Sequence, residues 1–107
     1  MKKVKLNGIE RAIIPDLLGE SEGDMLQQTT VNGLINRIEI KPDEFKKYDI
    51  RLEGNMMLWN NKKILAEKEF DFTPPEIQVL KDVVDDLSKR KKINQKIYNI
   101  CTKIKDL

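Results

Sequence analysis

The chain has 107 residues, of which 39% are hydrophobic and 36% are charged. This length and composition predict one folded domain, residues 1–107, and exclude a disordered chain. The net charge is +2. The absence of histidine excludes a histidine-based catalytic triad and a histidine-ligated metal, and the single cysteine excludes an internal disulfide.

The start of the chain and its hydropathy predict where the protein acts. Lys2, Lys3 and Lys5 make the N-terminus basic, but the apolar run of a signal peptide does not follow them. No stretch approaches the roughly 18 apolar residues that a membrane span needs. Together with the single cysteine, these observations predict a cytoplasmic protein in a reducing compartment, with no membrane association.

Two helices are predicted in the first 40 residues. Asn7 and Glu10 have the spacing of a capping box, in which each side chain bonds to the backbone of the other residue. Pro15 falls inside this first helix and predicts either a kink or two shorter pieces. Asp24 precedes Gln27 with the same spacing and caps the second helix. The predicted buried side chains are Ile9, Ile13 and Leu17 in the first helix and Leu26, Val31, Leu34, Ile35 and Ile38 in the second.

A third, short helix is predicted to begin at Pro42. Proline is favoured at the first helical position, and the carboxylates of Asp43 and Glu44 suit the positive end of the helix dipole. Phe45 and Tyr48 are expected to form the buried side of this helix.

The hydrophobic period changes from about 3.6 to about 2 across residues 51–72, which predicts strands. Asn60 and Asn61 lie between two alternating runs, and asparagine tolerates the positive φ of a tight turn. We therefore expect a β-hairpin over residues 51–72. Two strands alone are marginally stable in water, so its apolar face should pack on helices. Val4 and Leu6 predict a further short strand.

Two C-terminal helices have clear local signals. Thr73, Pro74 and Glu76 combine a cap, a first-turn proline and a capping box. This helix should end within residues 88–92, and Asn94 caps the last helix. The predicted apolar stripes are Ile77, Leu80, Val84 and Leu87, then Ile97, Ile100, Cys101 and Ile104. The predicted fold class is α+β, with the hairpin packed against four to five helices, two of them C-terminal.

Six short sequence features follow one another along nearly the whole chain. They are Glu10-Arg11, Leu17-Leu18, the acidic loop 19–23, the helix start Pro42–Phe45, the segment Gly54–Asn60 and a C-terminal helix containing Tyr98. This order resembles a group of small conserved phage and prophage proteins of unknown function. The resemblance implies a phage or prophage origin, a small α+β fold and the cytoplasm of the host cell. It supplies no catalytic residues.

The sequence offers few groups for catalysis. It contains neither the glycine–lysine phosphate loop nor the glycine fingerprint of dinucleotide-binding folds. Cys101 falls on the apolar stripe of the last helix, where a buried structural thiol is the expected role. Glu67, Glu69 and Asp71 share a strand face that could bind a hard cation, but a solvated polar face is the favoured interpretation. We therefore predict a protein that is not an enzyme and has no cofactor and no metal site.

The C-terminal end is basic and the rest of the chain is slightly acidic. The net charge is −1 for residues 1–50, −3 for residues 51–88 and +6 for residues 89–107. Much of the positive charge comes from Lys89, Arg90, Lys91, Lys92 and Lys96. Three interpretations stay open: charge that suits a helix end and keeps the chain soluble, contacts with nucleic-acid phosphates, or docking on an acidic protein.

Met56, Met57 and Trp59 form an apolar cluster in the predicted hairpin. The favoured interpretation places them in the core, because the hairpin must bury a face. If they are exposed, they mark an interface and favour a homodimer.

We expect a small accessory protein that acts by binding another protein, for example by inhibiting or modulating a host or defence factor. The predicted interaction residues are Met56, Met57, Trp59, Lys89, Arg90, Lys91, Lys92 and Lys96. The alternative is a nucleic-acid-binding regulator, because the predicted order of three helices, a hairpin and a helix is winged-helix-like. Its third helix contains Lys41, Lys46 and Lys47, but also carboxylates that phosphates would repel.

Overall fold

In the computed structural model, which describes residues 1–107, three helices follow the first strand, and three further strands then precede two C-terminal helices. The strands are β1 (Lys2–Leu6), β2 (Arg51–Glu53), β3 (Met56–Leu58) and β4 (Lys68–Phe72). The helices are α1 (Gly8–Gly19), α2 (Met25–Ile38), the one-turn α3 (Phe45–Tyr48), α4 (Pro74–Lys89) and α5 (Gln95–Lys105). Short 3-10 turns span Pro42–Glu44 and Lys63–Leu65. The predicted α+β class, with two C-terminal helices, is confirmed.

β1 and β4 pair as an antiparallel sheet in which Val4 lies opposite Phe70. Side chains alternate between the faces of a strand, so these two residues point into the core while Lys3 and Glu69 face solvent. The exposed pair forms an ion pair of 3.6 Å. The short strand predicted around Val4 is therefore confirmed, and it joins the beginning of the chain to residues 68–72.

The main core lies between this sheet and four helices, α1, α2, α4 and α5. It contains 17 buried side chains, among which Leu34 and Ile38 of α2 are fully buried. Arg37 at the end of α2 bonds to Glu76 in the first turn of α4, which joins these helices at the surface. Leu26, predicted to be buried, is 78% exposed because it lies in the first turn of α2, beyond the core.

The predicted helix caps are formed. Each capping oxygen accepts a hydrogen bond from a backbone N–H in the first turn: those of Asn7, Asp24, Thr73 and Asn94. Asn7 and Glu10 exchange two hydrogen bonds of 2.9 Å, which form the complete capping box.

No helix combines the length and the apolar character that crossing a membrane requires.

α1 runs through Pro15 as one helix, so of the two predicted alternatives, a kink or two shorter pieces, the second is wrong. Its buried face also differs from the prediction by one position. Gly8, Arg11, Ile14 and Leu18 are buried, whereas Ile9, Ile13 and Leu17 are half-buried. Gly8 permits this rotation because a Cβ there would lie only 2.6 Å from the Ile64 side chain.

The strand pairing predicted within residues 51–72 is wrong, although the segment does contain a hairpin. Gly54 adopts a φ of +61°, a conformation that glycine tolerates best, and the chain reverses there between β2 and β3. Asn60 instead accepts bonds from the backbone of Lys62 and Lys63 and leads into a 3-10 turn. The second predicted strand begins later, and as β4 it pairs with β1.

A smaller core anchors the β2–β3 hairpin beside α1. Tyr48, Ile50 and Ile64 are its buried members, with exposed fractions of 0%, 7% and 2%. Ile9, Ile40 and Phe45 pack against them. The expected buried side of the third helix, Phe45 and Tyr48, therefore contacts this second core, Tyr48 fully and Phe45 in part.

Candidate interaction surfaces

The β2–β3 hairpin exposes four apolar side chains, which we call the hairpin surface. The exposed fractions are 65% for Leu52, 64% for Met56, 44% for Met57 and 38% for Trp59. In the strand register, Leu52 lies opposite Met57 and Glu53 opposite Met56. Both faces of the hairpin therefore carry exposed apolar groups.

The interpretation of Met56, Met57 and Trp59 as core residues is wrong. Both strands of the hairpin are only three residues long, and their six residues include just one, Leu58, that is even partly buried. The space at the base of the hairpin is filled by the second core, which includes Ile64. An interface, the alternative predicted for an exposed cluster, stays a prediction.

An open cleft lies between α1 and the hairpin. Its volume is about 290 Å³, and its lining consists of Arg11, Ala12, Pro15, Asp16, Glu39, Ile40, Phe45, Ile50 and Met57. The cleft therefore shares Met57 with the hairpin surface. It is the place where exposed apolar side chains meet ionisable groups.

Arg11 lies against this cleft and is 1% exposed. Two of its nitrogens bond to the two carboxylate oxygens of Glu44, both at 2.6 Å. It also donates to the backbone carbonyls of Ile38 and Glu39, at 2.9 and 3.0 Å, and to the hydroxyl of Tyr48 at 3.2 Å. A buried guanidinium with this many acceptors fixes neighbouring elements in place.

The contacts between Arg11 and Glu44 shift the pKa values of both residues. The hydrogen bond from Arg11 lowers the pKa of Glu44 to about 2, with further lowering from the Lys41 backbone. Burial alone would lower the pKa of Arg11, but the bonds to Glu44 and Tyr48 raise it above its usual value. Both partners therefore stay charged at neutral pH. Sequence reasoning missed this pair, although Arg11 lies three and seven positions before the buried Ile14 and Leu18.

The basic residues 89–92 form a defined turn between α4 and α5. Lys89 ends α4, Arg90 caps it, and Lys91 adopts a φ of +55°. The Lys92 N–H then donates to the Leu87 carbonyl at 2.8 Å, which closes a Schellman-type helix end. The prediction that α4 ends within residues 88–92 is confirmed.

Most of this turn has no ionic partner within the chain. Arg90 pairs with Asp86 at 2.8 Å, but the other four predicted basic residues make none of the ion pairs: Lys89, Lys91, Lys92 and Lys96. All four are exposed. Further along α5, Lys103 and Lys105 pair with Glu10 and Asp85. We call these four lysines the basic turn, although Lys96 lies just beyond the turn, in the first turn of α5.

The remaining candidate groups lie apart from both surfaces. Cys101 is 3% exposed within the main core, as predicted, and burial raises the pKa of its thiol. Glu67, Glu69 and Asp71 are exposed, and Glu69 pairs with Lys3. No three histidine, cysteine, aspartate or glutamate residues are grouped so as to hold a metal ion.

Comparisons with known proteins add no assignment. No protein-family model, no curated protein and no solved structure matches the chain. The resemblance to phage and prophage proteins therefore stays a prediction.

Proposed function

We propose that this protein is a non-enzymatic accessory protein that acts by binding another protein through the hairpin surface. One observation carries the proposal: Leu52, Met56, Met57 and Trp59 are exposed on a hairpin whose base is anchored by a buried cluster. Apolar side chains grouped at one place on a surface mark sites of association.

The energetics favour association at this place. Fully burying one exposed leucine or methionine side chain is worth about 1.5–3 kcal/mol. The hairpin surface offers three such side chains and a tryptophan, which are 38–65% exposed, so each contributes part of that value. Part of this gain is lost to the cost of association. Methionine has a flexible thioether that adapts to the shape of a partner. Such a surface supports specific binding whose strength depends on how well the partner fits.

The resemblance described above supports a biological setting for this binding. We propose a phage or prophage origin and action in the cytoplasm of the host cell. Inhibition or modulation of a host or defence factor is one concrete form of the function.

A pull-down with the tagged full-length chain tests the proposal. We expect the wild-type protein to retain a partner from a lysate of the cells that encode it, at both low and moderate salt. The variant Leu52→Ser/Met56→Ser should lose that partner. The matched control is Met25→Ser/Leu26→Ser, since these residues are 86% and 78% exposed on α2.

Loss of the partner from the hairpin variant alone supports the proposal. Equal retention by the wild type and both variants contradicts it, and so does failure to retain any partner. Sedimentation analysis of the purified chain shows whether the partner is a second copy, the predicted homodimer.

Nucleic-acid binding is the second candidate function, and the basic turn is the observation that favours it. Lysines without internal partners can contact phosphates and release counterions. We do not propose a recognition helix of the winged-helix type, because α3 spans only Phe45–Tyr48 and the preceding Glu44 is bonded to Arg11.

A titration of labelled duplex DNA and single-stranded RNA at two salt concentrations tests this second candidate. Each phosphate contact to duplex DNA should contribute a slope of about −0.9 to the plot of log affinity against log salt. Lys91→Gln/Lys92→Gln should reduce the slope by about 2 if both residues contact duplex phosphates. Lys46→Gln/Lys47→Gln, on α3, is the matched control. Absence of binding at low salt eliminates this candidate.

A further inference from the structure

The cleft beside the hairpin surface has an apolar interior. Six side chains provide it: Ala12, Pro15, Ile40, Phe45, Ile50 and Met57. The volume of about 290 Å³ lies just below the range of roughly 300–1,000 Å³ that is typical of small-molecule sites. It therefore accommodates one or two side chains of a peptide.

Asp16 places a free negative charge at the edge of this interior. The other ionised groups of the lining are neutralised within the chain: Glu39 pairs with Lys41 at 3.0 Å, and Arg11 pairs with Glu44. Asp16 is exposed and makes none of the ion pairs. A cation bound next to the cleft would therefore complement the only unpaired charge in its lining.

The apolar surface continues from the cleft onto the hairpin. Met57 lines the cleft and lies opposite Leu52 in the strand register, so the two side chains project from the same face. Leu52 is 65% exposed. A peptide with one side chain in the cleft can therefore cover Leu52 with the next part of its chain.

We infer that the cleft binds a segment of the partner protein in which an apolar side chain stands next to a lysine or arginine. The apolar side chain packs among Pro15, Phe45 and Met57, and the cation pairs with Asp16. This inference rests on the proposed function, because it specifies the chemistry of the partner. The negative charge of Asp16 favours a segment whose cation lies beside the apolar side chain, at the edge of the cleft where Asp16 lies.

Three short fluorescein-labelled peptides test the inference by fluorescence anisotropy with the full chain. The first contains Lys-Leu-Arg between Gly-Ser ends, the second replaces both basic residues by Glu, and the third replaces Leu by Ser. We expect the first to bind with a Kd on the order of 10–100 μM, and the other two at least about tenfold more weakly. Emission of Trp59, the only tryptophan, reports binding independently.

Two variants locate the bound peptide. Asp16→Lys should weaken binding of the Lys-Leu-Arg peptide at least about tenfold, because it reverses the charge at the edge. Met57→Lys should weaken it comparably. Glu22→Lys is the matched control, since Glu22 is also exposed, carries the same charge and lies outside the cleft. Circular dichroism checks that each variant is folded.

The inference is overturned if the Lys-Leu-Arg peptide does not bind, if the glutamate or serine peptide binds equally well, or if Asp16→Lys has the same affinity as Glu22→Lys. These failures leave the proposed function standing when the hairpin variant still loses its partner in the pull-down. The proposed function fails separately, when the hairpin variant retains that partner.

Discussion

Arg11 and Glu44 form a two-point ion pair in which both nitrogen–oxygen distances are 2.6 Å. The residues are 33 positions apart in the chain. Because Arg11 also bonds to the carbonyls of Ile38 and Glu39, one side chain joins α1, the end of α2 and the turn before α3. This junction positions Phe45, and with it one wall of the cleft.

Glu44→Gln should strongly destabilise the fold. It leaves the guanidinium of Arg11, whose side chain is 0% exposed, without a counter-charge, and breaking a buried pair in this way costs about 3–5 kcal/mol. Urea unfolding at pH 7 measures the loss. Glu69→Gln removes the exposed pair with Lys3 and should cost at most about 1 kcal/mol. Equal losses in the two variants would contradict a structural role for the buried pair.

The free energy of unfolding should fall in acid because of the same pair. The pKa of Glu44 is lowered from 4.5 to about 2 in the fold, so its contribution is complete above pH 4.5 and is lost as the pH falls towards 2. Glu76 acts in the same direction: burial alone would raise its pKa, but bonds from the Thr73 backbone and from Arg37 lower it.

Urea unfolding of the wild type from pH 7 to pH 2 measures this acid sensitivity. The Glu44 contribution should be on the order of 3 kcal/mol, and Glu44→Gln should show a correspondingly flatter dependence on pH. A variant curve parallel to the wild-type curve would show that Glu44 does not cause the loss.

Two glycine substitutions should have opposite effects. Gly33 lies in α2, and a Cβ added there would meet no atom within 4 Å, so Gly33→Ala should stabilise the fold by about 0.5–1 kcal/mol. At Gly8 a Cβ would lie 2.6 Å from Ile64 Cδ1 and 2.9 Å from the Ile64 carbonyl oxygen. Gly8→Ala should therefore destabilise by about 1–3 kcal/mol. Thermal unfolding of both variants checks the signs.

Local signals in the sequence predicted the helices well. The caps at Asn7, Asp24, Thr73 and Asn94 all depend on residues within one turn, and all are formed. The stripe of α5 is buried as predicted, because its helical spacing leaves one apolar face. Contacts of this kind can be read from neighbouring residues alone.

Features that depend on distant contacts were not predictable in the same way. The partner of β4 is β1, more than 60 residues earlier, and no turn residue specifies that pairing. The burial of Arg11 depends on Glu44 and on the carbonyls at the end of α2. The exposure of Met56 follows from the short hairpin, whose two three-residue strands bury none of their side chains. The cleft arises only when these elements meet.

Lys91→Gly should stabilise the fold while it removes one charge from the basic turn. Lys91 has a φ of +55°, where a side chain costs about 1 kcal/mol relative to glycine, and glycine is the residue that most often occupies this position after a helix. Thermal unfolding should show a gain of about 0.5–1 kcal/mol, whereas Lys92→Gly, the neighbouring control, should not stabilise. A loss of stability in Lys91→Gly would mean that the lysine side chain contributes contacts that outweigh its backbone strain.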